Sequence, residues 1–153
     1  MRRTGAVDVR VRSGAIGVGY EGQEIQGFVE DLLRRGVSRL VDVRLTPISR
    51  KRGFSKSALR DALTAAGIQY DHRRELGNPK INRAGFAGSE AELAGARARY
   101  AATLETEPAQ RSLDELANLA RTELIAVLCF EADQRRCHRA VVLDEITTRL
   151  PPT

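Results

Sequence analysis

Apolar and polar positions alternate along this chain with two different periods, and the order in which those periods appear predicts an α/β protein. Ala15 to Tyr20 (AIGVGY) is a short apolar run closed by glycine and tyrosine, and it reads as a buried strand. From Glu24 to Arg35 the apolar residues Ile25, Phe28, Val29, Leu32 and Leu33 form the i, i+3, i+4, i+7, i+8 stripe of an amphipathic helix, and Gly36 supplies its C-cap. Arg39 to Val43 (RLVDV) predicts a second strand. Strand, helix and strand in this order form a right-handed βαβ unit, which implies parallel pairing. The stretch from Arg44 to Gly53 is polar, basic and broken by Pro47, so it reads as a loop. Ser55 is placed as an N-cap, with Phe54 and Leu59 as a hydrophobic staple, for a helix that runs to about Ala66 and ends at Gly67. Ile68 to Asp71 (IQYD) predicts a third strand.

Residues 72 to 88 are rich in Arg, Gly, Asn and Pro with little periodicity, and read as an exposed loop. An alanine-rich helix is expected from Ser89 to Leu104, with a break at Thr106 to Pro108. Ser112 and Glu115 then fit an S-x-x-E capping box that opens a short helix with Leu113, Leu116 and Leu119 inward. Leu124 to Phe130 predicts a fourth strand, and His138 to Leu150 a last helix stopped by Pro151 and Pro152. Strands alternating with helices imply a compact α/β sandwich, its mainly parallel sheet of four or more strands flanked by helices. The pattern leaves the strand order open.

At 153 residues, 42% of them hydrophobic, the chain has the size and the core material of one domain, expected over 14–150 after a basic N-terminal arm at 1–13. That arm carries four arginines but no continuous apolar region, and nowhere is there a run of about 18 apolar residues. A soluble, cytoplasmic protein is expected, with its two cysteines, Cys129 and Cys137, reduced. The net charge of +5 is unevenly placed. Residues 44 to 83 hold ten basic side chains against three acids, a surplus of +7, so the rest of the chain sums to −2. This central positive segment suits an anionic partner such as a phosphate-bearing small molecule or nucleic acid. Only Lys51, Lys56 and Lys80 of the 25 basic residues are lysines. Arginine favours bidentate contacts to phosphate and carboxylate, although a bias toward GC-rich codons produces the same excess.

In an open parallel sheet, ligands bind beyond the carboxyl ends of the strands. Those ends carry Tyr20, then Asp42 and Arg44, then Asp71 and His72, then Cys129 and Glu131. Cys137 and His138 open the last helix, where free N–H groups and the helix dipole lower a thiol pKa and favour an anion beside Arg139. Each residue also has a plain structural reading. A cysteine in an apolar strand is ordinarily a small hydrophobe. Asp42 between Val41 and Val43 is costly unless paired, and Arg44 can pair it. Arg50, Lys51 and Arg52 form the kind of run that usually decorates a solvated loop, His72 can be a surface histidine, and His138 can serve as a helix cap.

The segments GVGYEGQEIQGFVEDLLRRGVSRLVDVRLTPISR, FSKSALRDALTAAGIQYDHRRELGNPK and VLCFEADQRRCHRAVVLDEI, in this order, resemble the family called domain of unknown function 488. The most specific features are C-x-E at Cys129 and Glu131, C-H-R at Cys137 to Arg139, and D-V-R at Asp42 to Arg44. Where members often show a Leu-Gly-Gly turn, this chain has Leu76, Gly77 and Asn78. The resemblance implies a compact cytoplasmic α/β domain and no particular substrate. A more local likeness is to rhodanese domains, with Val41 to Arg44 and Val127 to Cys129 on the matching strands. The glycine-rich loop that follows the rhodanese cysteine is replaced here by Phe130 to Arg136.

Three functional readings follow. In the first the chain is an enzyme acting on an anionic substrate, with Cys137 or Cys129 as thiolate nucleophile, Asp42 or Glu131 as proton carrier, and Arg44 and Arg139 as the anion clamp, aided by His138, His72, Tyr20, Arg50, Lys51 and Arg52. In the second, Cys129, Cys137 and His138, with His72 or Glu131, hold zinc or iron. Against it, C-x7-C-H is not a standard zinc spacing, and neighbours on a helix point about 100° apart. In the third the basic segment 44–83 binds nucleic acid without catalysis, Tyr70 and Phe54 offering stacking surfaces.

Overall fold

The computed structural model describes residues 12–151, so the basic arm lies almost wholly outside the described residues. Four strands, β1 (Gly14–Gly19), β2 (Arg39–Asp42), β3 (Gln69–His72) and β4 (Leu124–Cys129), form one parallel sheet in the order β1-β4-β2-β3. Around it lie α1 (Ile25–Arg34), α2 (Lys56–Ala65), α3 (Lys80–Phe86), α4 (Glu90–Thr103), α5 (Glu107–Ala120) and α6 (Arg139–Arg149), with single 3₁₀ turns at Arg74–Leu76 and Gln134–Arg136. The α/β architecture is thus the one expected. None of the described helices is long and apolar enough to cross a membrane.

Strand order follows from burial. All six residues of β4 are buried, and an uninterrupted apolar run belongs at the centre of a sheet whose two faces are both covered. β4 therefore lies between the first two strands. Gly14 to Gly19 pair with Leu124 to Cys129, and Arg39 to Asp42 pair with Ile125 to Leu128. β1 and β2 run parallel, as the βαβ pattern implies, but they are not neighbours. The less buried β1 and β3 take the edges.

Successive side chains of a strand point to opposite faces, which divides the core in two. Leu124, Ala126 and Leu128 join Leu40 and the inward residues of α1 and α2. Ile125, Val127 and Cys129 join Val41, Val43 and the inward residues of α4, α5 and α6. Burying a leucine or valine on either face is worth about 1.5–3 kcal/mol, so this parity is strongly enforced. Gly36 and Gly67, both at φ of 80°, close α1 and α2 in the left-handed conformation that suits glycine. Phe54 and Leu59 are both fully buried, as a staple requires. Ser55, however, spends its hydroxyl on the loop, accepting from the backbone N–H of Ser49 and donating to the Ser49 carbonyl.

Two local expectations are corrected. Residues 72–88 contain a 3₁₀ turn and α3. That helix is held by polar contacts rather than by an apolar stripe: Asn82 donates to Asn78 Oδ1 at 3.1 Å and to the Ala96 carbonyl at 2.9 Å, and its Oδ1 accepts from Arg99. Hydrophobic periodicity has no sensitivity to such a helix. The alanine-rich helix does end before Thr106, but Thr106 to Pro108 at once open α5. Thr106 caps it by accepting from the Ala109 N–H, and Pro108 sits in the first turn, where a missing N–H costs nothing. Ser112 and Glu115, expected to open that helix, lie inside it and instead accept from Arg73. The capping box belongs to α4, between Ser89 and Glu92.

Candidate active site

A pocket of about 700 Å³ opens at the carboxyl edge of the sheet. Its wall carries two kinds of chemistry. One part is cationic, from Arg44, Arg50, Arg83 and Arg136; the other holds Cys129, Cys137 and His138, with Glu131 beside them. Tyr20, Phe86 and Phe130 add aromatic surface, and Phe130 is substantially exposed.

β4 delivers Cys129 to this edge, and the chain then turns back through Phe130–Arg136 to place Cys137 just before α6. Cys137 is extended (φ −139°, ψ 143°) and His138 is helical, so the two neighbours do not share the fixed angular offset of a helix. Their side chains converge, contrary to the expectation from helical spacing. The donor atoms of Cys129, Cys137 and His138, all three residues buried, lie within 4.8 Å of one another. The two sulfurs are brought into direct contact, while the Cα atoms of Cys129 and Cys137, 7.1 Å apart, stand beyond the span that a disulfide ordinarily bridges.

His138 is oriented from both sides. Its Nε2 lies 2.8 Å from the carbonyl of Val43, which can only accept, so Nε2 carries the proton and Nδ1 presents a bare lone pair. Nδ1 faces Cys137 Sγ at 3.8 Å. The edge of Tyr100 packs on the ring at a centroid distance of 5.0 Å. Burial pushes the imidazole pKa down to about 4, helped by Arg83 and Arg139 and opposed by the Val43 bond and Asp42. His138 is therefore neutral at ordinary pH.

Arg139 was expected to clamp an anion, but the structure turns it inward. Its guanidinium, almost completely buried, donates from Nη1 to the Glu131 carbonyl at 2.6 Å and to Cys129 Sγ at 3.2 Å, and from Nη2 to the Ala132 carbonyl at 3.3 Å. The Arg139 backbone N–H donates to Cys137 Sγ at 3.5 Å. Each sulfur thus receives an N–H from the same residue, while the helix terminus keeps no open cradle for an oxyanion. Burial raises the pKa of Glu131 above the usual carboxylate value, against the pull of Arg139.

Asp42 faces the other side of the sheet and is fully buried. Its Oδ1 accepts from the backbone N–H and the Nε of Arg44, and its Oδ2 accepts from Arg44 Nη2 at 2.7 Å and from the Tyr70 hydroxyl at 2.6 Å. Arg44 Nη1 donates to the Phe54 carbonyl and to the Tyr20 hydroxyl. Burial pulls the Arg44 pKa down, but the bonds and charge of Asp42 outweigh it and hold the guanidinium charged. Asp42 is absent from the pocket wall and has no lone pair left for proton transfer; it sets the position of Arg44, which does reach the wall.

The remaining expected residues divide in the same way. Tyr20, Arg50 and Glu131 line the pocket; His72, Lys51 and Arg52 do not. His72 Nε2 donates to the Arg44 carbonyl at 2.8 Å. Phe54 is buried in a stack on Tyr20 and offers no free stacking face, whereas Tyr70 is half-buried with its hydroxyl spent on Asp42. Sequence reasoning missed Arg136, whose signal was its place directly before Cys137, and it had Arg83 only as one charge in the basic segment. Arg136 Nη1 is anchored on the carbonyls of Phe86 and Gly88. Among the described residues, Arg136 has a carboxylate only at 3.9 Å, from Glu90, and the ion pairs leave Arg50 and Arg83 without one. Asn78, the departure from Leu-Gly-Gly, is buried, anchors Asn82 and touches the pocket.

Residues 24–146 match the family model described as Domain of unknown function DUF488, and the chain belongs to that family. No curated protein and no solved structure matches the chain, so the local likeness to rhodanese domains gains no support.

Proposed function

We propose that this member of the DUF488 family is an enzyme acting on an anionic substrate of nucleotide or other phosphate-bearing kind, which it binds in the pocket and turns over at the Cys129–Cys137–His138 cluster. One observation carries the reading: a single pocket wall joins Arg50 and Arg83, which among the described residues pair with no carboxylate, and Arg136, whose one carboxylate lies at 3.9 Å, to two sulfurs and a neutral imidazole. Cations without a close acidic partner are available to an incoming anion.

Arg50, Arg83 and Arg136 hold the anion, and the aromatic surface of Phe130 meets the apolar part of the substrate. With both cysteines as thiols, Cys137 is the better-placed nucleophile. The Arg139 N–H stabilises its thiolate, and the neutral His138 turns its bare Nδ1 toward the Cys137 sulfur, where it can accept a hydrogen bond from the thiol. Glu131, whose pKa burial raises above the usual carboxylate value, serves as proton carrier on the same wall.

Calorimetric titration with inorganic phosphate, pyrophosphate and a panel of mononucleotides tests this. Arg83→Ala and Arg136→Ala should each weaken binding by about tenfold or more, the value of one charge-assisted hydrogen bond. In the reduced protein a bound anion should slow alkylation of Cys137, whose apparent pKa should fall below the ~8.5 of a free thiol. Failure to bind any of these anions sinks the reading. Binding to oligonucleotides that falls steeply with salt, and that survives conversion of both cysteines to serine, would instead favour a nucleic-acid module using residues 44–83.

A further inference from the structure

We infer that the reduced cluster of Cys129, Cys137 and His138 is a binding site for one zinc-class divalent cation, with a ligand position open toward the pocket. The inference rests on the pocket reading only for what that open position faces. Soft thiolates with one imidazole are the donor set that zinc prefers, and three protein ligands with an open position are the arrangement of catalytic rather than structural sites.

Four observations converge. The three donor atoms already lie within 4.8 Å of one another in a buried setting. A tetrahedral zinc ion, at about 2.3 Å from sulfur and about 2.0 Å from nitrogen, spaces its donors roughly 3.5–3.8 Å apart, so only small side-chain adjustments are needed. Second, His138 is more than nine-tenths buried and its Nε2 proton is spent on the Val43 carbonyl, which aims a bare Nδ1 at the sulfurs. That outer hydrogen bond is the usual way a metal-binding histidine is fixed in its tautomer. Third, each sulfur accepts an N–H from Arg139, one from its backbone and one from its guanidinium, as metal-bound thiolates commonly do. Fourth, the Cα atoms of Cys129 and Cys137 lie 7.1 Å apart. That is beyond the roughly 4.4–6.8 Å usual for a disulfide, and it leaves room for the sulfurs to separate around an ion without moving the backbone.

Loading requires both cysteines as thiols, so any disulfide formed between them must first be opened. A phosphine reductant delivers two electrons and is converted to its oxide, water supplying the oxygen and the two protons that the thiols take up. The cation then displaces the protons still held by the thiols. A bound cation uses the lone pairs that a nucleophilic thiolate would use, so the loaded chain presents an anionic substrate with an electrophilic ion rather than with free sulfur. The arginines of the wall serve either form.

The test titrates the full chain, reduced with phosphine and desalted under argon, with Co²⁺ and then Zn²⁺. One Co²⁺ per chain, with the near-ultraviolet sulfur-to-cobalt charge-transfer band and the visible bands of a tetrahedral site, is expected. Zn²⁺ should displace it. Cys129→Ser, Cys137→Ser and His138→Gln should each weaken binding by about a hundredfold, at least as much as losing an outer partner does. The disulfide form of the unsubstituted chain is the folded control and should show no charge-transfer band. Absence of the band in reduced protein that is folded by circular dichroism overturns the inference, as does equal binding by the disulfide form. Phosphate titration of Arg83→Ala separates the two readings. Cobalt binding retained with anion binding lost upholds the cation site independently of the pocket, and anion binding by a chain that takes no cobalt leaves the pocket reading standing alone.

Discussion

Replacing Asp42 by Asn tests whether that carboxylate is a structural anchor or a proton carrier. Asn keeps the shape but removes the charge, and it turns one of the two acceptor oxygens into a donor facing Arg44 Nη2 or the Tyr70 hydroxyl. Arg44 would then be a buried guanidinium without its carboxylate. Breaking a buried pair from one side costs about 3–5 kcal/mol, a large share of the ~5–15 kcal/mol that holds a domain of this size together. Arg44→Met strands Asp42 in the same way and should cost a similar amount. The double variant Asp42→Asn/Arg44→Met removes both charges and should cost at least about 2 kcal/mol less than the sum of the two, because a buried pair is replaced rather than broken. Urea unfolding followed by circular dichroism measures all four proteins, and an unchanged slope against urea would show that the same surface is exposed in each. A loss below about 1 kcal/mol for Asp42→Asn, or strict additivity in the double variant, refutes the reasoning.

Other consequences are as direct. Because burial holds the His138 imidazole down to about 4 in the folded protein, the unfolded chain takes up a proton that the folded chain refuses as pH falls from the usual 6.5 toward 4. Stability present above that window should decline through it by on the order of 3 kcal/mol, and the decline should be absent from His138→Gln measured over the same pH series. Ser89→Ala removes the cap that accepts from the Glu92 N–H and should cost about 1 kcal/mol in thermal unfolding; no measurable change would mean that the capping box contributes nothing. Gly19→Ala places a methyl against the backbone carbonyl of Glu131, the segment on which Arg139 is anchored, and should destabilise by about 1–3 kcal/mol. Gly27→Ala, in open space on α1, should instead stabilise by about 0.5–1 kcal/mol, so equal effects at the two glycines would contradict the packing described.

The alternation of apolar periods determined the α/β class, the four strands to within a residue or two, and the edge of the sheet where Tyr20, Arg44, Cys129 and Glu131 gather. These are local or rule-bound properties: a period of two or of about 3.6 is written into neighbouring residues, and a parallel sheet puts all its carboxyl ends on one side. Strand order, register and partnership are set by contacts between residues far apart in sequence, and only the tertiary structure decided those. Asp42 pairs in register with Leu128, so Cys129, one residue on, points to the opposite face. A one-residue slip would have put the carboxylate and the thiol together. The same holds for Arg139, drawn inward by the carbonyls of Glu131 and Ala132, and for His138, fixed by a carbonyl of Val43 that lies 95 residues earlier. Polar partners of this kind leave no periodic trace in the sequence, because a hydrogen bond depends on where two backbones meet and not on the spacing along either one.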